Sequence, residues 1–203
     1  QSTTLVPITV GVNALFVVFY VVLSKYNFFL AFISSIIMWF IFSLIILLSG
    51  LNNFYYSMIG YLIFLMFTYF ILEKRLKIVS EESKKINYSA SQIIFRGIIG
   101  GFFIALAVFL AKIGGPLLGG VFASFPALTI ALILIMQFSH GKSFSNALLK
   151  NFIISGTINV IIFTIFIRYT YLYTSLILGT LISFAISLLS SYVTYKLINK
   201  NLI

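Results

Sequence analysis

Seven apolar windows of about twenty residues follow one another along the chain, at approximately 5–24, 28–48, 54–72, 92–111, 117–138, 147–167 and 172–195. A helix needs about 20 mostly apolar residues to cross the hydrocarbon of a bilayer. The length agrees, because 203 residues at roughly 27–30 per crossing and its connection give about seven. The breaks are short polar or turn clusters: Lys25-Tyr26-Asn27, Gly50 to Asn53, Lys112 to Pro116, Ser139 to Ser145 and Arg168 to Tyr171. A β-barrel would alternate polar and apolar residues within strands of about ten, whereas these runs are apolar on every face. With 8% charged and 62% hydrophobic residues, against roughly 25% charged in soluble domains, the chain cannot cover a water-facing surface. It contains no cysteine, so it is not a disulfide scaffold.

The charges orient the windows. Seven crossings put Lys25, Lys74, Arg75, Lys77, Lys84, Lys85, Arg96, Lys142, Lys150, Lys196 and Lys200 on one side, and only Lys112 and Arg168 on the other. The positive-inside rule makes the crowded side cytoplasmic. The fold class expected is therefore all-α: a polytopic membrane helical bundle of seven transmembrane helices, multi-pass in the plasma membrane, with the N-terminus outside and the C-terminus cytoplasmic. The pI near 9.8 reflects this asymmetry and not a nucleic-acid surface, for which the charges are too few.

The one substantial hydrophilic stretch, 73–91, divides the chain into a three-helix membrane half (1–72) and a four-helix membrane half (92–203). It reads as a charged cytoplasmic linker whose first part extends the third helix, with lipid headgroups or a partner as its other use. Asn87-Tyr88-Ser89 has glycosylation spacing but falls on the cytoplasmic side. Faint echoes, Asn27-Phe28 with Asn151-Phe152 and Val6-Pro7 with Gly115-Pro116, fit a degenerate 3+4 parallel repeat in which helices 1–3 match helices 5–7. The partner of helix 4 would then precede Gln1, a residue before which methionine is not ordinarily trimmed. A removed upstream helix and trimming at expression both account for that beginning.

Between Arg96 and Pro126 lie Gly97, Gly100, Gly101, Gly114, Gly115, Gly119 and Gly120. The pairs Gly97/Gly101 and Gly115/Gly119, with Gly120 continuing the small face, suit close helix packing, and helices 4 and 5 are expected at the tightly packed centre. Pro126 is expected near the middle of helix 5, where it frees the carbonyl of Phe122 and kinks the backbone beside Ser124 and Thr129. Ser155 and Asn159, four residues apart, share a face of helix 6. Interhelical hydrogen bonding is their plain role; a solute path of Ser124, Pro126, Thr129, Ser155 and Asn159 is the sharper one. Asn13 and Gln137 complete the polar set.

The chain has no Asp, one His (His140, in a loop), and three Glu, all read as lying in the linker. Neither a general acid–base pair nor a metal site of protein ligands can be assembled in the spans. No catalysis and no cofactor is expected, and the carboxylate relay of proton-driven carriers is missing from the windows.

The run GGPLLGGVFASFPALTIALILIMQFSHG followed by NFIISGTINVIIF, with Gly119, Gly120, Phe125, Pro126 and Ala127 as its pattern, resembles the GlpM-like group of small polytopic membrane proteins over roughly 93–196. The resemblance implies a compact four-helix membrane unit and no particular activity. Two functional readings follow from the residues. One is a transporter-like or permease-like protein for a small neutral or weakly charged solute, with its path at the helix 4–5–6 centre. The other is a non-catalytic accessory subunit embedded in a larger membrane complex. The lipid bilayer is the expected partner of both, with another membrane protein or a second copy of the chain beside it.

Overall fold

The polar clusters between the apolar windows become helix caps. In the computed structural model, which describes residues 3–78 and 89–200, α1 (Val6–Leu23) starts with Pro7 in its first turn, where a missing N–H costs nothing. Asn27 caps α2 (Phe28–Leu48) by accepting from the Leu30 amide at 3.1 Å. Asn53 caps α3 (Phe54–Tyr69), accepting from Tyr55 N at 2.8 Å. Ser89 and Gln92 form a reciprocal capping box at the start of α4 (Ala90–Ala123). Then come α5 (Ala127–His140), α6 (Lys142–Tyr173) and α7 (Leu176–Lys200). Among the described residues, six helices are long and apolar enough to cross a membrane, counting 90–140 as one of 51 residues. The all-helical membrane class read from the sequence holds.

Several boundaries differ from the sequence reading. α3 does continue into the charged stretch, as a π-helical turn over Phe70–Arg75 in which Leu76 N reaches Ile71 O at 2.9 Å. The rest of the linker, 79–88, with Asn87-Tyr88 of the glycosylation spacing, lies outside the described residues. The loop expected at 139–145 shrinks to Gly141, whose φ of 83° turns the chain directly into α6. The break expected at Arg168–Tyr171 is helical, and the turn falls at 174–175, where Thr174 Oγ1 donates to Thr170 O (2.8 Å) and Ser175 Oγ caps Leu178 N (3.3 Å). An arginine followed by tyrosines resembles an interfacial break, yet long amphipathic side chains continue a helix readily.

The 51-residue stretch cannot be one straight rod, which would reach about 75 Å. Gly115, at φ 83° and ψ 176°, breaks it. The chain folds back there. A Cβ on Gly119 would meet that of Ala111, Phe103 stacks on Phe125 with centroids 3.7 Å apart, and Gln92 Nε2 donates to Ser139 Oγ at 3.1 Å. These contacts pair 90–114 with 116–140 as an antiparallel hairpin along its length.

Two compact units are distinguished, Gln1–Ile153 and Ile154–Ile203. In the first, α1 is the buried centre, with Val12, Ala14, Phe16, Val17 and Tyr20 fully enclosed. Glycines bring α1 and α3 close and parallel: a Cβ on Gly11 would come 2.9 Å from Phe64, and one on Gly60 2.7 Å from Ile8. α2 runs antiparallel to α1, joined by Asn13–Trp39 and Tyr20–Phe28 contacts. α1 is therefore the most enclosed helix; of the two helices expected at the centre, the fifth is buried over Thr129 to Ile133, Ile135 and Met136, whereas the fourth buries only Ala107. Gly119 serves the hairpin's own seam, against Ala111. In the second unit, α6 and α7 form an antiparallel hairpin stitched by Thr170–Ser183 (3.1 Å) and Tyr171–Thr180 (2.7 Å) hydroxyl pairs.

Candidate functional site

The irregular backbone lies at 124–126, inside the window 117–138 that the sequence presents as one helix. Pro126 does not kink helix 5 at its middle; it stands at the N-cap of α5, with φ −75° and ψ 43°. With no amide at 126, the carbonyl of Phe122 turns to Phe125 N (3.1 Å), and Val121 O takes both Ser124 N (3.1 Å) and Ser124 Oγ (2.7 Å). This tightens the end of α4, and α5 restarts with Ile130 N on Pro126 O at 2.8 Å.

The break leaves the Ser124 carbonyl facing the interior, and α1 meets it. Asn13 Nδ2 donates to Ser124 O at 2.7 Å, while Asn13 Oδ1 accepts from Trp39 Nε1 of α2, also at 2.7 Å. Trp39 is wholly buried. Its ring meets Phe125 edge-on at 4.9 Å, and Phe125 stacks in turn on Phe103. Three helices thus converge on one interrupted backbone, and each polar group of the relay has a partner. Buried polar groups without partners cost about 1–3 kcal/mol each, so the relay and the break need each other.

The other residues of the expected path are distributed as follows. Thr129 is buried in the first turn of α5. Ser155 and Asn159 belong to the second unit, where Asn159 Oδ1 accepts from Ser187 Oγ of α7 at 2.7 Å. Among the glycines, Gly115 makes the turn, Gly119 sits tightly against Ala111 and Gly120 is buried. Gly97 and Gly101 are exposed, with nothing within 4 Å of where a Cβ would stand. An apolar cavity of about 230 Å³ flanks the relay, lined by Trp39, Phe40, Leu44 and Phe122 among others.

Two features escaped the sequence reading. Asn13 has no visible partner in the sequence, and Trp39 lies within an apolar window; one Trp in the chain and an Asn inside a span are the signals the sequence offers. The second is an ion pair. Glu73 is not in a solvated loop: it sits in the π-helical turn, and its Oε2 binds Lys150 Nζ of α6 at 2.7 Å. The Lys150 ammonium also donates to Ile78 O at 2.7 Å, and the side chain is only 7% exposed. In the sequence Lys150 is only one of the cations on the crowded side, because its partner is 77 residues away. His140 is exposed at the end of α5, stacked on Phe144 at 4.9 Å.

Residues 93–199 match the model of a family described as a protein of unknown function, DUF3147. The match covers more than half of the chain, which belongs to this family. No curated protein and no solved structure matches it.

Proposed function

We propose that this DUF3147 member is a small non-catalytic permease-like protein of the plasma membrane that passes a small neutral or weakly charged solute. On this reading it crosses the bilayer seven times, the hairpin at Gly115 supplying two crossings, with the N-terminus outside. The observation that carries it is the interrupted helix at 124–126, held in the interior by Asn13 and Trp39. Non-helical backbone at bilayer depth is tolerated where protein buries it or a cavity wets it, and interrupted helices serve as solute sites in many carriers. The kinship with the GlpM-like group belongs to this proposal too, resting on the Gly119-Gly120…Phe125-Pro126-Ala127 pattern.

The test is solute-driven swelling of proteoliposomes, with glycerol, urea and small amino acids as the solutes. Swelling faster than in protein-free vesicles, and altered by Asn13→Leu, is the expected result. Wild-type vesicles no more permeable than empty ones to any of these solutes would set the permease reading aside.

The accessory-subunit reading has an observation of its own. Gly97 and Gly101 present a small, open face on α4 that nothing in the described chain covers, and in lipid such faces pack against other helices. Purification in mild detergent separates the readings: a stoichiometric membrane partner favours the subunit, a lone chain or homodimer the permease.

A further inference from the structure

The cavity beside the relay is walled by one stripe of α2 and by the second arm of the Gly115 hairpin. Trp39, Phe40, Ser43, Leu44 and Leu47 recur at helical spacing along α2, and Val121 and Phe122 face them. Its inner wall is closed: Trp39 is wholly buried, and Ser43 and Val121 are nearly so. Its edge is open, because Phe40, Ile41 and Leu44 are exposed. On a membrane helix such an exposed apolar edge meets hydrocarbon.

Size and chemistry narrow the guest. A dry apolar cavity of about 150 Å³ takes benzene, so about 230 Å³ has room for a single ring with a small substituent. Three aromatic side chains meet at this wall. Trp39 lies 5.3 Å from Phe40 and 6.3 Å from Phe122, and Phe40 lies 6.2 Å from Phe122, all edge-on or tilted. Aromatic rings favour such arrangements at these separations, and a further ring extends the cluster. The Trp39 indole N–H is already given to Asn13. The hydroxyl of Ser43 is then the one side-chain polar group of the lining left over. Ser43 is 3% exposed, and among the described residues its Oγ has no hydrogen-bond partner. Ser35, two turns earlier, returns its own hydroxyl to Ala31 O at 2.7 Å. A buried hydroxyl left unmatched is the exception in folded proteins. Held by no bond, that of Ser43 is free to turn about its Cα–Cβ bond, and it both donates and accepts. A lipid acyl chain would fill the space and leave the hydroxyl unmatched. A ring that carries its own hydroxyl does both.

We infer that this cavity is a binding site for a neutral single-ring phenol, which enters from the bilayer, packs among Trp39, Phe40 and Phe122, and hydrogen-bonds to Ser43. The inference stands apart from the permease reading, since binding here needs no flux.

Trp39 is the single tryptophan of the chain, so its fluorescence reports on its own wall of the cavity. The probe is 4-bromophenol, whose heavy atom quenches indole emission on contact, added to the purified full chain in vesicles. Quenching is expected to saturate, to be reversed by unbrominated phenol, and to need at least fivefold more probe in Ser43→Ala. Quenching by 4-bromotoluene, which has no hydroxyl, should be the same in both proteins. Leu44→Phe and Leu47→Phe each narrow the cavity from its α2 side, and either one, monodisperse in detergent, should abolish the saturable part. Quenching that rises without saturation, alike in wild type and variants, is partition into the bilayer and overturns the site. Saturable quenching that Ser43→Ala leaves unchanged overturns the phenol class. Stronger quenching by a phospholipid brominated on its acyl chain, which phenol fails to relieve, makes the cavity a lipid-tail cleft and overturns the inference as well.

Discussion

Asn13 holds two elements with one side chain. Its amide nitrogen serves the Ser124 carbonyl and its oxygen serves the Trp39 indole. Replacing it by leucine keeps the volume and orphans both groups, at about 1–3 kcal/mol apiece. Unfolding in detergent should register that loss, and Trp39→Phe should cost less in the Asn13→Leu background than in the wild type, since the shared bond is already gone. Glycines offer a second contrast. A Cβ at Gly119 would meet Ala111 and stand 3.5 Å from the Ala107 carbonyl, so Gly119→Val should destabilise by about 1–3 kcal/mol through overpacking. Gly97→Ala meets open space and should leave monomer stability unchanged or slightly higher. If both substitutions behave alike in the same unfolding assay, the hairpin seam is placed wrongly.

At the level of elements, the fold-back at Gly115 is the feature with the largest geometric consequence. A helix continuous from residue 92 to 139 would hold these ends about 70 Å apart, yet Gln92 Nε2 lies 3.1 Å from Ser139 Oγ. Oxidation of a Gln92→Cys/Ser139→Cys variant should close an intramolecular disulfide, seen as a mobility shift reversed by reductant. Failure to form it in a folded protein would argue for a different path. Gly-Gly-Pro at 114–116 announced that turn in the sequence, because only glycine adopts the positive φ there without strain. Pro126 announced an irregularity without its form. A proline frees one carbonyl four residues back, and whether the helix bends or breaks depends on what else can satisfy the neighbouring groups. Here Asn13 does so from a helix 111 residues away in sequence.

For the whole molecule, the arrangement of ends in the first unit bears on topology. Tyr20 meets Phe28 and Gln137, Gln92 meets Ser139, and Lys150 meets Glu73. These contacts gather the ends of α1, α3 and α5 with the starts of α2, α4 and α6, while the Gly115 turn is the other end of its hairpin. Cysteines introduced at Lys25, Lys74 and Lys142 should thus be labelled from one side of the membrane, and one at Lys112 from the opposite side. Labelling of all four from one side would remove the seven-crossing topology.

The sequence by itself determined the class, the caps and the turn. Twenty-residue apolar windows, Asn and Ser at their starts, and glycine at a sharp reversal act through local chemistry that no distant residue can undo. Only the tertiary structure decided which helix is central, since α1 is apolar on all faces like its neighbours and carries no mark of its burial. It also decided that Asn13 seals the break, and that Lys150 is held by Glu73 rather than by lipid headgroups. Those outcomes depend on partners distant in sequence, and the free energy of a polar group in a bilayer is set by whether such a partner arrives.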